Sequence, residues 1–155
     1  MADVKLTTAA ACRVAGIDRD RFNEHVAAGR FPCAPSTIPG RTRLFNAEDM
    51  IALRIFREEM DEGRDAISAG LIACAVANAA RQHPEARTIS FVQSYFDKMG
   101  GHAFPADQVP GAAEWDNVIF SGTDIRKVTT YRIGKMRELI AHYIEDERNT
   151  IGERD

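Results

Sequence analysis

The side chains with the most specific chemistry in this chain of 155 residues form a short polar cluster near its N-terminus. The cluster consists of charged and amide side chains, namely Arg19, Asp20, Arg21, Asn23 and Glu24. An arginine guanidinium can form two hydrogen bonds with the edge of a guanine, and an asparagine amide can do the same with an adenine. This combination favours hydrogen bonding to the edges of nucleic-acid bases.

The same cluster has a plainer interpretation as a solvated helix face with local ion pairs. Two of its members are acidic, and a carboxylate is repelled by the phosphate backbone. In a nucleic-acid complex, Asp20 and Glu24 would therefore have to face bases, such as the amino group of cytosine, or lie at the edge of the contact. Both interpretations stay open at this point.

A second group of polar residues is suited to phosphate rather than to bases. Arg41 and Arg43 are two positions apart, so on an extended strand they point to the same face, where they could contact phosphate or the minor groove. Thr8, with Lys5 and Thr7, could donate hydrogen bonds to a phosphate at a helix N-terminus. The alternatives are an ordinary surface pair for the two arginines and simple helix capping for the threonines.

Patterns typical of catalysis or metal binding are missing from the sequence. We find no nucleophile with a base at a readable spacing, no glycine-rich phosphate loop and no metal motif. His25 is predicted to be a packing residue, and the other histidines are too scattered for a metal cage: His83, His102 and His142. The sequence predicts a protein that is not an enzyme and uses no cofactor or metal.

The cysteines and the hydropathy pattern bear on the cellular compartment. Cys12, Cys33 and Cys74 are odd in number and widely spaced, which argues against a disulfide framework, so all three are predicted to be small buried hydrophobic residues. No apolar run approaches the roughly 18 residues needed to span a membrane, and the first residues lack a signal-peptide core. We therefore expect a cytoplasmic, nucleoid-associated protein without membrane contact.

The charge of the chain is unevenly distributed. The net charge is −3, yet residues 1–46 carry seven basic and four acidic side chains, a local net of +3. Positive charge is thus concentrated around the polar cluster, where a phosphate backbone would be met.

Capping residues place the polar cluster on the second of two short helices. Thr7 or Thr8 can cap a helix that ends at Ala15, and Asp18 can cap a second helix from Arg19 to about Ala28. So short a joint forces the two helices to cross steeply, as in a helix-turn-helix.

The apolar residues of the second helix fix the direction of the cluster. Phe22 and Val26 are four positions apart and form one apolar stripe, so the polar side chains point the other way.

The segment after the second helix predicts a two-stranded wing. Prolines and a glycine exclude helix there: Pro32, Pro35, Pro39 and Gly40. Ile38 on one side and Leu44 and Phe45 on the other flank the Pro39–Gly40 turn signal.

Further elements follow the wing. The patterns predict a helix capped by Asn46 that runs to about residue 62 and a helix capped by Asp65 that runs to about residue 83. A strand at 88–96 and a loop at 100–111 follow. The chain then continues with a hairpin of strands 116–120 and 125–133 and an amphipathic final helix around 136–144.

The order of these pieces resembles the N-terminal domain of the MerR family of winged-helix regulators. The resemblance covers residues 5–63 and includes Gly16-Ile17-Asp18, VAAGRF at residues 26–31, GRTRLF at 40–45 and NAEDMIALRIF at 46–56. It implies a winged helix-turn-helix that binds DNA, with Arg43 as the wing arginine. Phage excisionases and terminase small subunits use a similar module, so the resemblance alone does not imply transcription.

These observations predict a mainly α-helical protein with small β content. Residues 1–64 form the winged helix-turn-helix, residues 65–148 form an α+β dimerisation domain that could also hold a sensor, and residues 149–155 form a polar tail. We expect a transcriptional regulator that binds specific double-stranded DNA as a homodimer through its final helix and contacts RNA polymerase or a phage protein. The alternatives are a phage or mobile-element DNA-binding accessory protein, and a protein-interaction module without DNA binding.

Overall fold

The computed structural model describes residues 4–37, 40–96 and 100–150. The α-helices in these ranges are α1 (Thr8–Ala15), α2 (Arg19–Ala27), α3 (Asp49–Asp61), α4 (Ala66–Gln82) and α5 (Ile133–Thr150). The strands are β1 (Leu6–Thr7), β2 (Leu44–Phe45), β3 (Ile89–Ser94), β4 (His102–Pro105) and β5 (Ile125–Tyr131), and short 3₁₀ helices occupy Ala106–Gln108 and Ala112–Asn117. The fold is mixed α and β, with a small sheet and a terminal helix, as predicted.

The first two helices begin and end at their predicted caps. The Thr7 side chain accepts a hydrogen bond from the Ala10 amide at 3.2 Å, and the Asp18 carboxylate accepts one from the Arg21 amide at 3.0 Å. Gly16 follows α1 with a φ of 77°, a left-handed conformation that side chains disfavour. These local signals are strong enough to define both helices from sequence.

The strand pairing near residue 45 differs from the predicted wing. β2 pairs antiparallel with β1, so that Leu6 lies opposite Phe45, and residues 30–37 form no strand. Ile38 and Pro39 lie outside the described residues. Pro32 and Pro35 have no amide hydrogen to donate, so the segment before the turn is a poor strand partner, whereas residues 6–7 can complete a ladder.

The helix α3 is the centre of the core. Asn46 and Asp49 exchange two hydrogen bonds of 2.8 Å between side chain and backbone, so Asn46 closes the turn that leads into α3, which itself begins at Asp49. Its fully buried side chains are Met50, Ile51, Leu53, Ile55 and Phe56. The helices α1, α4 and α5 all pack against it, so one buried cluster contains residues from both sides of residue 64.

The helix α4 lies directly against the chain that follows α2. Asp65 caps it by accepting a hydrogen bond from the Ser68 amide at 2.8 Å. A side chain at Gly70 would place its Cβ 1.8 Å from the carbonyl oxygen of Arg30, so only glycine allows this approach.

Two of the three cysteines contradict the prediction of reduced, buried residues. Cys33 is exposed and Cys74 half-buried, and the two form a disulfide with a Cα–Cα distance of 5.6 Å. They are 41 residues apart, and only the close packing of α4 on the segment after α2 brings them together. Cys12 is buried as predicted, and burial raises the pKa of its thiol to about 12.

The C-terminal sheet has the antiparallel order β4-β3-β5. The strand β3 was predicted and is the central strand of this sheet. Its Ser90 hydroxyl lies 2.8 Å from the hydroxyl of Thr130 on β5, which pairs the two polar groups inside the sheet. The predicted loop at 100–111 instead contains β4 and a 3₁₀ helix.

The predicted hairpin of residues 116–133 is wrong. Residues 112–117 form a 3₁₀ helix, and a single bridge between Phe120 and Thr123 closes the turn. The strand β5 pairs with β3 instead, at the register Phe91 opposite Thr129. The partner of β5 is thus the buried strand β3 and not the segment that directly precedes β5 in the sequence. Local turn signals indicate pairing only between neighbouring segments, so they cannot reveal this pairing.

The final helix is longer than the predicted core of 136–144 and packs on its own chain. Its buried residues are Ile133, Gly134, Met136, Ile140 and Ile144, and the helix packs against α1 and α3. The predicted polar tail starts at Asn149, which is still helical, and residues 151–155 lie outside the described ranges. Because the protein's own helices already cover this apolar face, a dimer contact would have to use a different surface.

Two ion pairs reinforce the position of α5. Arg13 of α1 and Glu147 of α5 approach to 2.8 Å, and Arg137 of α5 reaches Glu48, at the start of α3, at 2.7 Å. The C-terminal helix is therefore attached to the first helix of the chain. Among the described helices, none has the length and apolar character that a membrane crossing requires.

Candidate nucleic-acid interface

The inner side of α2 packs on the core through the fully buried Phe22 and the half-buried Val26. Phe22 is the buried residue of this nine-residue helix. Its ring centroid lies 5.3 Å from that of Phe31 and 6.0 Å from that of Phe45, and Phe31 in turn lies 5.0 Å from Phe56. This aromatic cluster (Phe22, Phe31, Phe45 and Phe56) fixes which face of α2 points outward.

The outward face of α2 carries the polar cluster predicted from sequence. All its members are exposed: Arg19, Asp20, Arg21, Asn23 and Glu24. The Nε of Arg19 lies 3.8 Å from a carboxylate oxygen of Asp20, and both side chains are well exposed, at 59% and 83%. Such an exposed pair is weak and can be exchanged for other partners. The predicted exposure is confirmed, whereas contact with DNA stays a prediction.

Two members of the cluster have uncommitted hydrogen-bonding groups. Within the described residues, the side chains of Arg21 and Asn23 form no hydrogen bond or ion pair. Both have the planar, bidentate groups that read guanine and adenine edges. Their donors and acceptors are thus available to an external partner without breaking an internal contact.

The two arginines of the predicted wing have different environments. Arg41 is exposed, whereas Arg43 is half-buried and its guanidinium donates a hydrogen bond to the Pro35 carbonyl. Arg43 therefore holds together the two arms of the turn, and Arg41 is the freer cation. The resemblance singled out Arg43 as the wing arginine, whereas in the structure Arg41 is the more exposed of the two.

The pairing of β1 with β2 brings the start of α1 to the same region. Thr7 lies opposite Leu44 on the neighbouring strand, and Thr7, not Thr8, makes the capping hydrogen bond. Thr8 is half-buried at the first position of α1. Because Phe45 of β2 also contacts Phe22 of α2, the same strand joins the start of α1 to the underside of α2.

The C-terminal end of α2 is fixed by a contact that the sequence did not reveal. A guanidinium nitrogen of Arg30 lies 2.8 Å from Nδ1 of His25, and the His25 ring lies edge-on to Phe56 at 5.3 Å. Burial and the Arg30 charge lower the pKa of His25 below its usual value. Since an arginine can only donate, His25 accepts at Nδ1 in its neutral form. The prediction of His25 as a packing residue is confirmed.

Some of the arginines counted in residues 1–46 are engaged within the fold. Arg13 is bound by Glu147, and Arg30 and Arg43 are turned towards His25 and Pro35. The exposed cations that remain are Lys5, Arg19, Arg21 and Arg41. They are fewer than the sequence suggested, and two of them lie on the outward face of α2.

No group of three or more His, Cys, Asp or Glu side chains is placed to hold a metal ion within residues 4–37, 40–96 and 100–150. A cleft of about 560 Å³ lies between α4 and β4 and is lined in part by the polar side chains of Asn78, Gln82 and His102.

No protein-family model matches the chain, and no curated protein matches it either. The resemblance of residues 5–63 to MerR-like domains therefore stays a prediction that depends on the residues quoted above.

Proposed function

We propose that this protein is a transcriptional regulator that binds specific double-stranded DNA through a winged helix-turn-helix, with α2 as the recognition helix. The observation that carries this proposal is the division of α2 into two faces. Phe22 is the one fully buried residue of the helix, beside the half-buried His25 and Val26, and the opposite face presents Arg21 and Asn23 with uncommitted hydrogen-bonding groups.

The shape of α2 suits the major groove. A helix of nine residues is about 14 Å long, and the groove of B-form DNA admits one α-helix. Recognition helices contact bases mainly through their first residues, which here are Arg19 to Asn23. Asp20 and Glu24 would repel phosphates, so the proposal places them towards base amino groups or at the edge of the contact.

A second contact would come from the turn at residues 40–43. Arg41 is exposed there and suits a phosphate or the minor groove, while Arg43 keeps the turn in shape through Pro35. Thr8 is adjacent to this turn through the β1–β2 pairing and would contribute a hydroxyl near the N-terminus of α1.

A homodimer would supply the second half-site that one short helix needs for specificity. Since α5 is packed on its own chain, the dimer contact would lie at the end of β3 instead. Tyr95 and Phe96 are exposed there at 70% and 78%, unusually high values for aromatic side chains. Sedimentation of the wild type should show a dimer at about ten micromolar, and the variant with Tyr95→Ala and Phe96→Ala should be a monomer.

A second candidate function is a protein-interaction module without DNA binding. The observation that favours it is the acidic component of α2, Asp20 and Glu24, together with the net charge of −3. A DNA-packaging or recombination accessory protein of a phage would use the same DNA face and differ in its protein partner.

Fluorescence anisotropy with a labelled random-sequence duplex tests the proposed function. Affinity should fall steeply between about 50 mM and 200 mM salt, because bound cations release counterions from DNA. The variant Arg41→Ala should bind more weakly, and Arg126→Ala, an exposed arginine on β5, is the matched control that should bind like the wild type. No measurable duplex binding at low salt would contradict the proposal and favour the protein-interaction module.

A further inference from the structure

We propose that the Cys33–Cys74 disulfide is a reversible redox site that regulates DNA binding: the oxidised protein binds DNA tightly, and reduction by a small thiol weakens binding. This inference rests on the proposed function, because it assigns a regulatory input to the same DNA-binding surface.

The disulfide joins the DNA-binding region to the body of the protein. Cys33 lies between the end of α2 and the turn at residues 40–43, and Cys74 lies in the middle of α4. Around it, residues 32–37 form no helix or strand. Residues 32–37, which follow the buried Phe31, are thus joined to α4 by this covalent bond.

The two sulfur atoms can be reached by a small thiol. Cys33 is exposed and Cys74 half-buried, and both line a cleft of about 320 Å³. Arg81 and Asp49 line the same cleft and form an ion pair of 2.9 Å with each other, so the cleft is polar and open to a small polar thiol. An exposed disulfide is the labile kind, whereas structural disulfides are shielded from exchange.

The third cysteine cannot take part in this chemistry. Cys12 is buried in α1, and burial raises the pKa of its thiol to about 12, so it stays protonated and unreactive. The reactive pair is therefore confined to Cys33 and Cys74.

The reaction is thiol–disulfide exchange with a low-molecular-weight thiol. A thiolate of the reductant attacks the exposed sulfur of Cys33, forms a mixed disulfide and releases Cys74 as a thiolate, which takes up a proton. A second thiolate attacks the sulfur of the reductant in the mixed disulfide and releases Cys33. Two electrons pass to the protein, and the two reductant molecules end as one disulfide. Oxidation is the reverse reaction with that small disulfide.

The compartment in which a DNA-binding protein works supports a regulatory rather than a permanent bond. Disulfides are rare where thiols are kept reduced, and those that form there are mostly transient or redox-sensing. A bond that closes under oxidative conditions would restrict residues 32–37 and with them the turn that carries Arg41. Once the bond is reduced, residues 32–37 are less restricted, and DNA binding has to order them. The entropy lost in that ordering lowers the affinity for DNA.

The test compares wild-type protein treated with oxidised glutathione or with dithiothreitol, using the labelled random-sequence duplex as the probe. We expect reduction to weaken binding by about tenfold, from the cost of ordering one loop. Hydrogen exchange should also become faster at residues 32–37 and 40–43. The variant Cys33→Ser, which changes an exposed side chain, should behave like reduced protein in both states. The variant Cys12→Ala, which keeps the pair, should respond like the wild type.

The outcomes separate the regulatory proposal from the proposed function. Equal affinities and equal hydrogen exchange in both redox states would overturn the regulation while DNA binding stands. Three free thiols after treatment with oxidised glutathione would overturn it as well. Absence of duplex binding in both states would contradict the proposed function and the regulation of DNA binding with it, and hydrogen exchange would still show whether the bond fixes the segment.

Discussion

Two helices of this protein, α2 and α5, are both amphipathic yet are attached to the core in opposite ways. The helix α2 buries one residue, Phe22, and exposes a polar face. The helix α5 buries five residues along its length and adds two ion pairs to α1 and α3. A helix with one fully buried residue leaves most of its surface exposed, whereas a helix buried along its length serves as a structural brace.

The hydrophobic pattern of α5 predicted a buried face but not what covers it. Its apolar stripe suggested a contact with a second copy of the chain. The structure shows that α1 and α3 cover the stripe, and Arg13 and Glu147 link α5 to the helix that precedes α2. Five predictions test the contrast between the two helices, in order of decreasing effect.

The largest effect is expected at Phe22, the one fully buried residue of α2. Phe22→Ala should lower the free energy of unfolding by about 3–5 kcal/mol, because it opens a cavity in the aromatic cluster. Urea denaturation measures this loss. Arg19→Ala on the exposed face is the control and should change stability by less than about 0.5 kcal/mol. A small loss for Phe22→Ala would show that other residues anchor α2.

The brace should depend on its buried stripe. Ile140→Ala should lower the free energy of unfolding by about 2–5 kcal/mol, since Ile140 is only 3% exposed. Ile67 on α4 is 51% exposed, and Ile67→Ala is the matched control with little expected loss. Among folded molecules, Ile140→Ala should leave duplex affinity unchanged. Equal denaturation midpoints for the two variants would contradict the role of α5.

The recognition face should affect binding without affecting stability. Arg21→Ala or Asn23→Ala should reduce discrimination between preferred and mismatched duplexes by about 1–3 kcal/mol. Arg41→Ala should instead weaken all duplexes alike, because phosphate contacts carry no base information. Competition titrations measure both effects. If Arg21→Ala weakened all duplexes equally, Arg21 would be a phosphate contact and not a base reader.

The ion pair between Arg13 and Glu147 should couple α1 to α5 weakly. A double-mutant cycle with Arg13→Gln and Glu147→Gln should give a coupling of about 0.2–1 kcal/mol, because Arg13 is 37% exposed. The exposed pair Arg87–Glu138 is the comparison and should show no measurable coupling. Equal coupling in both pairs would argue against a special role for the α1–α5 link.

The smallest effect concerns His25 at the end of α2. Folding lowers its pKa below 6.5, so the unfolded chain binds more protons when the pH lies between the folded pKa and 6.5. Stability should therefore fall as the pH is lowered through this window. Denaturation at about pH 7.5 and about pH 5.5 should show a greater loss for the wild type than for His25→Gln. Equal losses would mean that His25 does not contribute.

Local signals in the sequence predicted most of the helical structure. The caps at Asp18, Asn46 and Asp65 act through hydrogen bonds to residues three positions away, so they can be read directly from the sequence. The outward direction of the polar cluster followed in the same way from Phe22 and its spacing.

Non-local pairing accounts for what the sequence could not show. The strand β2 pairs with the N-terminal strand β1, and Cys33 is bonded to Cys74 on α4. In both cases the two partners are far apart in the sequence. Glu59 also reads as a surface residue of a helix, yet it is buried and accepts hydrogen bonds from Tyr131 at 3.0 Å and Arg64 at 2.8 Å. Its environment is formed by β5, which is distant in sequence.

Selection of bound duplexes from a random-sequence pool is the most direct measurement of whether α2 reads bases. We predict that the wild type enriches a defined motif, and that the variant with Arg21→Ala and Asn23→Ala binds DNA but enriches a more degenerate one. If the duplexes bound by both proteins had the same base composition as the starting pool, base recognition by α2 would be contradicted.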